Sequence, residues 1–106
     1  MAMGDKHYAL DAYVLDTLMR DLVGHDRRAS AFLVYIAFSA ASAMGSPRLS
    51  HAQLAERTGL SKRSVQDAVR HLAGRKLLRA TRGGKTDVTH YEVLAPWRRP
   101  SDERTA

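Results

Sequence analysis

Lys62, Arg63, Ser64, Gln66, Asp67 and Arg70 fall on one side of a short segment whose other side carries Val65, Ala68, Val69 and Leu72 at i, i+3, i+4, i+7 spacing. Leaving those polar ends buried and unpaired would be costly, so this face meets water or a ligand. Its chemistry is recognition rather than bond breaking. An arginine fork matches the edge of guanine with two hydrogen bonds, and a glutamine amide does the same for adenine. Ser61 and Ser64 suit phosphate contact beside the exposed N–H groups of a helix start. Further on, Arg79, Arg82, Lys85 and Thr86 surround a Gly83-Gly84 tip that permits close approach to a backbone.

Other chemistries lack their residues. There is no cysteine, which excludes a disulfide scaffold, a thiolate zinc site and a cysteine nucleophile. His51, His71 and His90 have no tight ligand spacing, and their expected roles are structural. Asp11, Asp16 and Asp21 recur every five residues and do not converge on one side of a helix. No glycine phosphate loop, nucleophile elbow or catalytic carboxylate pair is present, so no enzyme and no cofactor is expected. Trp97, followed by Arg98 and Arg99, is expected to pack over the end of a hairpin rather than stack on a nucleotide.

Charge narrows the partner. Seventeen Lys+Arg against eleven Asp+Glu give a net charge of +6 in 106 residues, a load that favours an anionic partner. Residues 1–47 carry four basic and five acidic side chains, and residues 48–106 carry thirteen and six. Thirteen of the seventeen bases are arginine, whose planar fork suits phosphate and guanine. The pattern reads as a near-neutral scaffold followed by an anion-binding surface.

The elements that would position this surface are mainly helical. Leu10, Val14, Leu18 and Leu22 form a stripe on a helix predicted over about 10–23, with Gly24 placed to stop it. A second helix, about Arg28 to Met44, is apolar nearly all round and ends at Gly45 and Pro47. Ala29 to Met44 is sixteen residues and contains serines, whereas a membrane span needs about twenty apolar residues. A buried core helix is therefore expected, with no membrane partner. No basic n-region precedes an apolar stretch near residue 1, so no secretory signal is expected, and a cytoplasmic, nucleoid-associated protein is expected. Ser50 and Gln53 make a capping box for a helix over His51 to Thr58, which Gly59 ends. Ser61 caps the next helix, which runs to about Gly74. Leu77 to Arg82 and Val88 to Leu94, separated by Gly83 to Asp87, read as a β-hairpin.

The stretch LSHAQLAERTGLSKRSVQDAVRHL, residues 49–72, resembles the winged helix-turn-helix of bacterial transcription regulators. It is similar to the domains of small regulators and replication-initiation proteins, with the MarR and GntR groups as broader relatives. The likeness covers about Arg28 to Leu94. It implies a mainly α fold with a small β-hairpin, in which helix 61–74 enters the major groove and a 79–90 wing lies on the backbone or minor groove. Carried onto this sequence, it places Ser61, Lys62, Arg63, Ser64 and Gln66 toward DNA, with Arg70 nearer a phosphate, and Ser50, Arg79, Arg82, Lys85 and Thr86 join them. Lys76 stands where such domains commonly have glycine, so either the helix ends early or Lys76 is strained by about 1 kcal/mol.

The expected organisation is a helical extension over 1–26, a winged helix-turn-helix over 27–95 and a flexible basic tail over 96–106. The expected function is sequence-specific double-stranded DNA binding by a small homodimeric regulator without an evident small-molecule ligand. The alternatives are a plasmid or phage replication or partition protein, and an interaction module that never touches DNA. Leu10, Val14, Leu18 and Leu22 are the expected dimerisation stripe, with the alternative that they cover the apolar second helix within one chain.

Overall fold

The structure, a computed structural model, describes residues 7–43, 49–82 and 89–98; of the strand residues 81, 82, 89 and 90 it describes the backbone only. Among these residues, four helices precede a two-stranded antiparallel hairpin. Helix α1 covers residues 12–25, α2 is Ala29–Ala43, α3 is His51–Thr58 and α4 is Lys62–Gly74. Strands β1, Leu78–Arg82, and β2, Thr89–Val93, pair in the register Leu78↔Val93 to Arg82↔Thr89. Leu49, just before α3, adds a bridge to Tyr91 on the free edge of β2.

Helix α1 begins two residues later than predicted, and Gly24 does not stop it. Much of its backbone is wound in wide i→i+5 turns, with Met19 donating to Val14 and Asp26 to Asp21. The left-handed residue that redirects the chain is Arg27, at φ 57°. The stripe Leu10, Val14, Leu18 and Leu22 takes the intrachain alternative and is not left open for a second copy. Val14, Leu18 and Leu22 are buried in the core of this single chain, and Leu10 is half-buried. The physical reason is α2, whose Ala31, Phe32, Val34, Tyr35, Phe38 and Ala41 are buried and need cover on more than one side.

One core joins these side chains to Leu54, Val65, Ala68, Val69, Leu72, Leu77 and Leu78. The first residues of the expected tail are held. Trp97 stacks on Tyr13 with ring centroids 4.6 Å apart and gives its indole N–H to Asp11 Oδ2 at 2.9 Å. Arg98 grips the same carboxylate with Nε at 2.7 Å and Nη2 at 3.0 Å. These bonds hold the Asp11 carboxyl below its ordinary range, Arg98 contributing most and Trp97 next. Tyr35 donates to the Leu94 carbonyl at 2.8 Å, and burial pushes its phenol upward. No helix among the described residues is long and apolar enough to cross a membrane.

Candidate nucleic-acid interface

The two helices that would carry the interface are joined by a turn that each residue helps to make. Ser50 Oγ accepts from the Gln53 backbone at 3.3 Å, and Gln53 Oε1 accepts from the Ser50 N–H at 2.8 Å, which satisfies two orphan donors at the start of α3. Gly59 takes φ +80°, open to glycine at little cost. Thr58 spans the bend, donating to the Leu54 carbonyl at 2.7 Å and accepting from the Leu60 N–H at 3.2 Å. Ser61 then caps α4 by accepting from the Ser64 N–H at 3.1 Å.

Helix α4 is divided as its spacing predicts. Val65, Ala68, Val69 and Leu72 are buried, while Lys62, Arg63, Gln66 and Arg70 are exposed. Among the described residues the side chains of Lys62, Arg63 and Gln66 form no hydrogen bond or ion pair, and that of Arg70 reaches only Asp67, at 3.5 Å. Long side chains with no internal partner are free to reorganise around a ligand.

The other expected site residues fare differently. The Ser50 and Ser61 hydroxyls are engaged in capping, which leaves each a remaining lone pair or proton. Arg79 is not free: its Nη2 and Nε bind Glu92 Oε1 at 2.7 and 3.2 Å, directly across the hairpin. The sequence pattern puts both residues on strands, but pairing needs the register. Arg82 lies in β1 opposite Thr89, with its side chain outside the described residues. Lys85 and Thr86 lie outside the described residues altogether.

Lys76 has φ 61°, the left-handed conformation that its position demands. Leu77 N–H bonds the Leu72 carbonyl at 2.9 Å and Lys76 N–H bonds Ala73 at 3.0 Å, a Schellman arrangement with Lys76 at the position that glycine usually fills. Helix α4 therefore reaches Gly74 and Lys76 bears the strain.

Two arrangements escaped sequence reasoning. At the root of the hairpin, His51 stacks on Tyr91 with centroids 5.3 Å apart, and Phe38 meets Tyr91 edge-on at 6.4 Å. Burial lowers the His51 proton affinity, and its Nε2 finds no partner among the described residues. At the far end of α4, Asp26 accepts from His71 Nε2 at 2.7 Å and His25 Nδ1 at 2.9 Å, and Arg75 Nε lies at 3.2 Å. The His25 bond, then that of His71, holds the Asp26 carboxyl below its ordinary range against the opposing effect of burial. The local pattern carries no signal for pairs 45 residues apart.

Among solved structures, the crystal structure of AntR, an antimony-specific transcriptional repressor, matches at 24% identity with a TM-score of 0.50 over 90% of this chain and 78% of that one. This chain has the winged helix-turn-helix fold. The adhesin competence repressor AdcR from Streptococcus pyogenes is similar at 20% identity and TM-score 0.49, over 86% of this chain and 67% of that one. No family model and no curated protein matches the sequence. In this winged helix, α3 and α4 are the helix-turn-helix pair, α4 is the helix in the recognition position and the β1–β2 hairpin is the wing.

Proposed function

We propose that this winged helix binds double-stranded DNA in a sequence-specific way, as a small transcriptional regulator with no enzymatic activity. The observation that carries the reading is the outer face of α4, where Lys62, Arg63 and Gln66 stand exposed with no side-chain partner among the described residues and Arg70 is held only loosely. Lodged in a major groove, Arg63 and Gln66 would read base edges, Lys62 and Arg70 would meet phosphates, and Ser61 and Ser64 would approach the backbone at the helix start. The wing, with Arg82, Lys85 and Thr86, would lie on the backbone or minor groove; Arg79 must first leave Glu92 to join it. The similarity to AntR, itself a transcriptional repressor, supports a regulatory role.

The regulator is proposed as a homodimer, since two copies read half-sites about one helical turn apart. With Val14, Leu18 and Leu22 buried, the contact passes to the outer row of α1, where Leu15 is 49%, Met19 38% and Val23 41% exposed at four-residue spacing. Sedimentation equilibrium of the wild type and of Leu15→Glu tests this. A wild-type monomer at tens of micromolar overturns the dimer.

Selection of bound duplexes from random DNA, followed by titration of the selected duplex against salt, tests the DNA reading. Five cations on phosphates predict a log K–log salt slope of about −4 to −5. No enrichment, or a flat slope, overturns it and leaves the protein-interaction module.

A further inference from the structure

Helix α4 is attached to the body of the protein in two different ways. Along its length, Val65, Ala68, Val69 and Leu72 bury into the core, contacts that are strong but non-directional and tolerate small rotations and slides. At its C-terminal end the attachment is directional. Among the described residues, the only side-chain hydrogen bonds and ion pairs from α4 and its cap to other elements run from His71 and Arg75, and they go to Asp26 and, at 3.9 Å, to Asp21. The Asp26 side chain is 8% exposed, and His25 holds its other oxygen. A carboxylate beside a helix C-terminus opposes the helix dipole. The dipole therefore does not explain its place, whereas the three donors around it do.

We propose that Asp26 is the positioning residue of the recognition helix: by gripping His71 and Arg75 it sets the angle at which α4 presents Arg63 and Gln66. This rests on the DNA-binding reading. Base readout needs its donors held to about 0.5 Å and 10–20°, while phosphate contacts made by long flexible side chains tolerate larger errors. Loosening the clasp therefore erodes discrimination between sequences much more than it weakens binding to DNA in general. Asp26 directly follows α1, so the clasp also ties the orientation of α4 to the place of α1 in the fold.

The test uses the full chain and two duplexes of equal length at one salt concentration, one selected from random DNA and one unrelated. Asp26→Asn is expected to melt cooperatively, to bind the unrelated duplex within about twofold of wild type, and to lose tenfold or more on the selected one, a size in keeping with the loss of one good base contact. His71→Ala shifts the ratio in the same direction, and His71→Gln, which can still donate to Asp26, recovers most of it. Equal losses on both duplexes, or no loss on either, overturn the proposal. Should Asp26→Asn fail to fold, the His71→Ala and His71→Gln pair decides alone, because His71 reaches the carboxylate from a side chain 25% exposed. A wild type that binds neither duplex overturns the DNA reading and the proposal together. A wild type that discriminates as well as its Asp26→Asn variant overturns the proposal only.

Discussion

Helices α1 and α4 each bury one apolar stripe in the same core, Val14, Leu18 and Leu22 from one and Val65, Val69 and Leu72 from the other. Their outer faces have nothing in common. That of α4 carries Lys62, Arg63, Gln66 and Arg70, and that of α1 carries Leu15, Met19 and Val23 beside Asp16 and Arg20. The buried stripes say what each helix does for the fold, and the outer faces say what each can do for a partner. A polar cationic surface suits a nucleic acid, and a row of large apolar side chains suits another protein surface. Reading function from the stripe assigns α1 the wrong face.

The comparison is broken most directly by cutting into a stripe. Leu22, fully buried, is expected to lose about 2–5 kcal/mol as Leu22→Ala in chemical denaturation, whereas Arg20→Ala, exposed on the same helix and outside the proposed contact row, should stay within about 0.5 kcal/mol. If the two cost the same, α1 does not belong to the core. On the outer face of α4, Arg63→Ala and Gln66→Ala should each cost about 1–3 kcal/mol of binding on the selected duplex only. Lys85→Ala should weaken all duplexes alike, and the reverse pattern would invert the proposed docking.

A smaller effect separates the strained end of α4 from its packed face. Lys76→Gly removes the left-handed penalty but loosens the unfolded chain, for a net gain of about 0.5 kcal/mol at most in thermal stability. A loss instead would mean that the Lys76 side chain holds something that outweighs its strain.

Acid titration distinguishes the wing root from the two carboxylate clasps. Burial lowers the His51 proton affinity from its ordinary 6.5, so the unfolded chain takes up the proton first. Stability contributed by the neutral ring is complete above about pH 6.5 and declines as pH falls below it. His51→Phe, which keeps a ring on Tyr91, should flatten that part of the curve. Asp11 and Asp26 lie below their ordinary 3.8, so their contribution persists above that value and disappears only as pH falls further. Asp11→Asn should remove part of this lower decline and leave the upper one unchanged. One merged transition insensitive to both substitutions would show that neither environment exists in solution.

The helix-turn-helix pair was readable almost residue by residue, because its signals are local. A capping serine acts on an N–H three residues on, Gly59 acts on its own φ, and the i, i+3, i+4 spacing of α4 acts within two turns. Trp97 was readable as a packing residue, but its partners were not. Asp11 and Trp97 are 86 residues apart, and Asp26 and His71 are 45 apart, and nothing in either neighbourhood names the other. The sequence by itself determined that α1 has an apolar stripe, that α4 has a cationic face and that a hairpin follows. Tertiary structure alone decided that the α1 stripe covers α2, that Arg79 is spent on Glu92 and that Asp26, with Asp21 farther off, meets the end of α4. Burial and charge pairing depend on which surfaces meet, and that depends on the whole chain closing on one core.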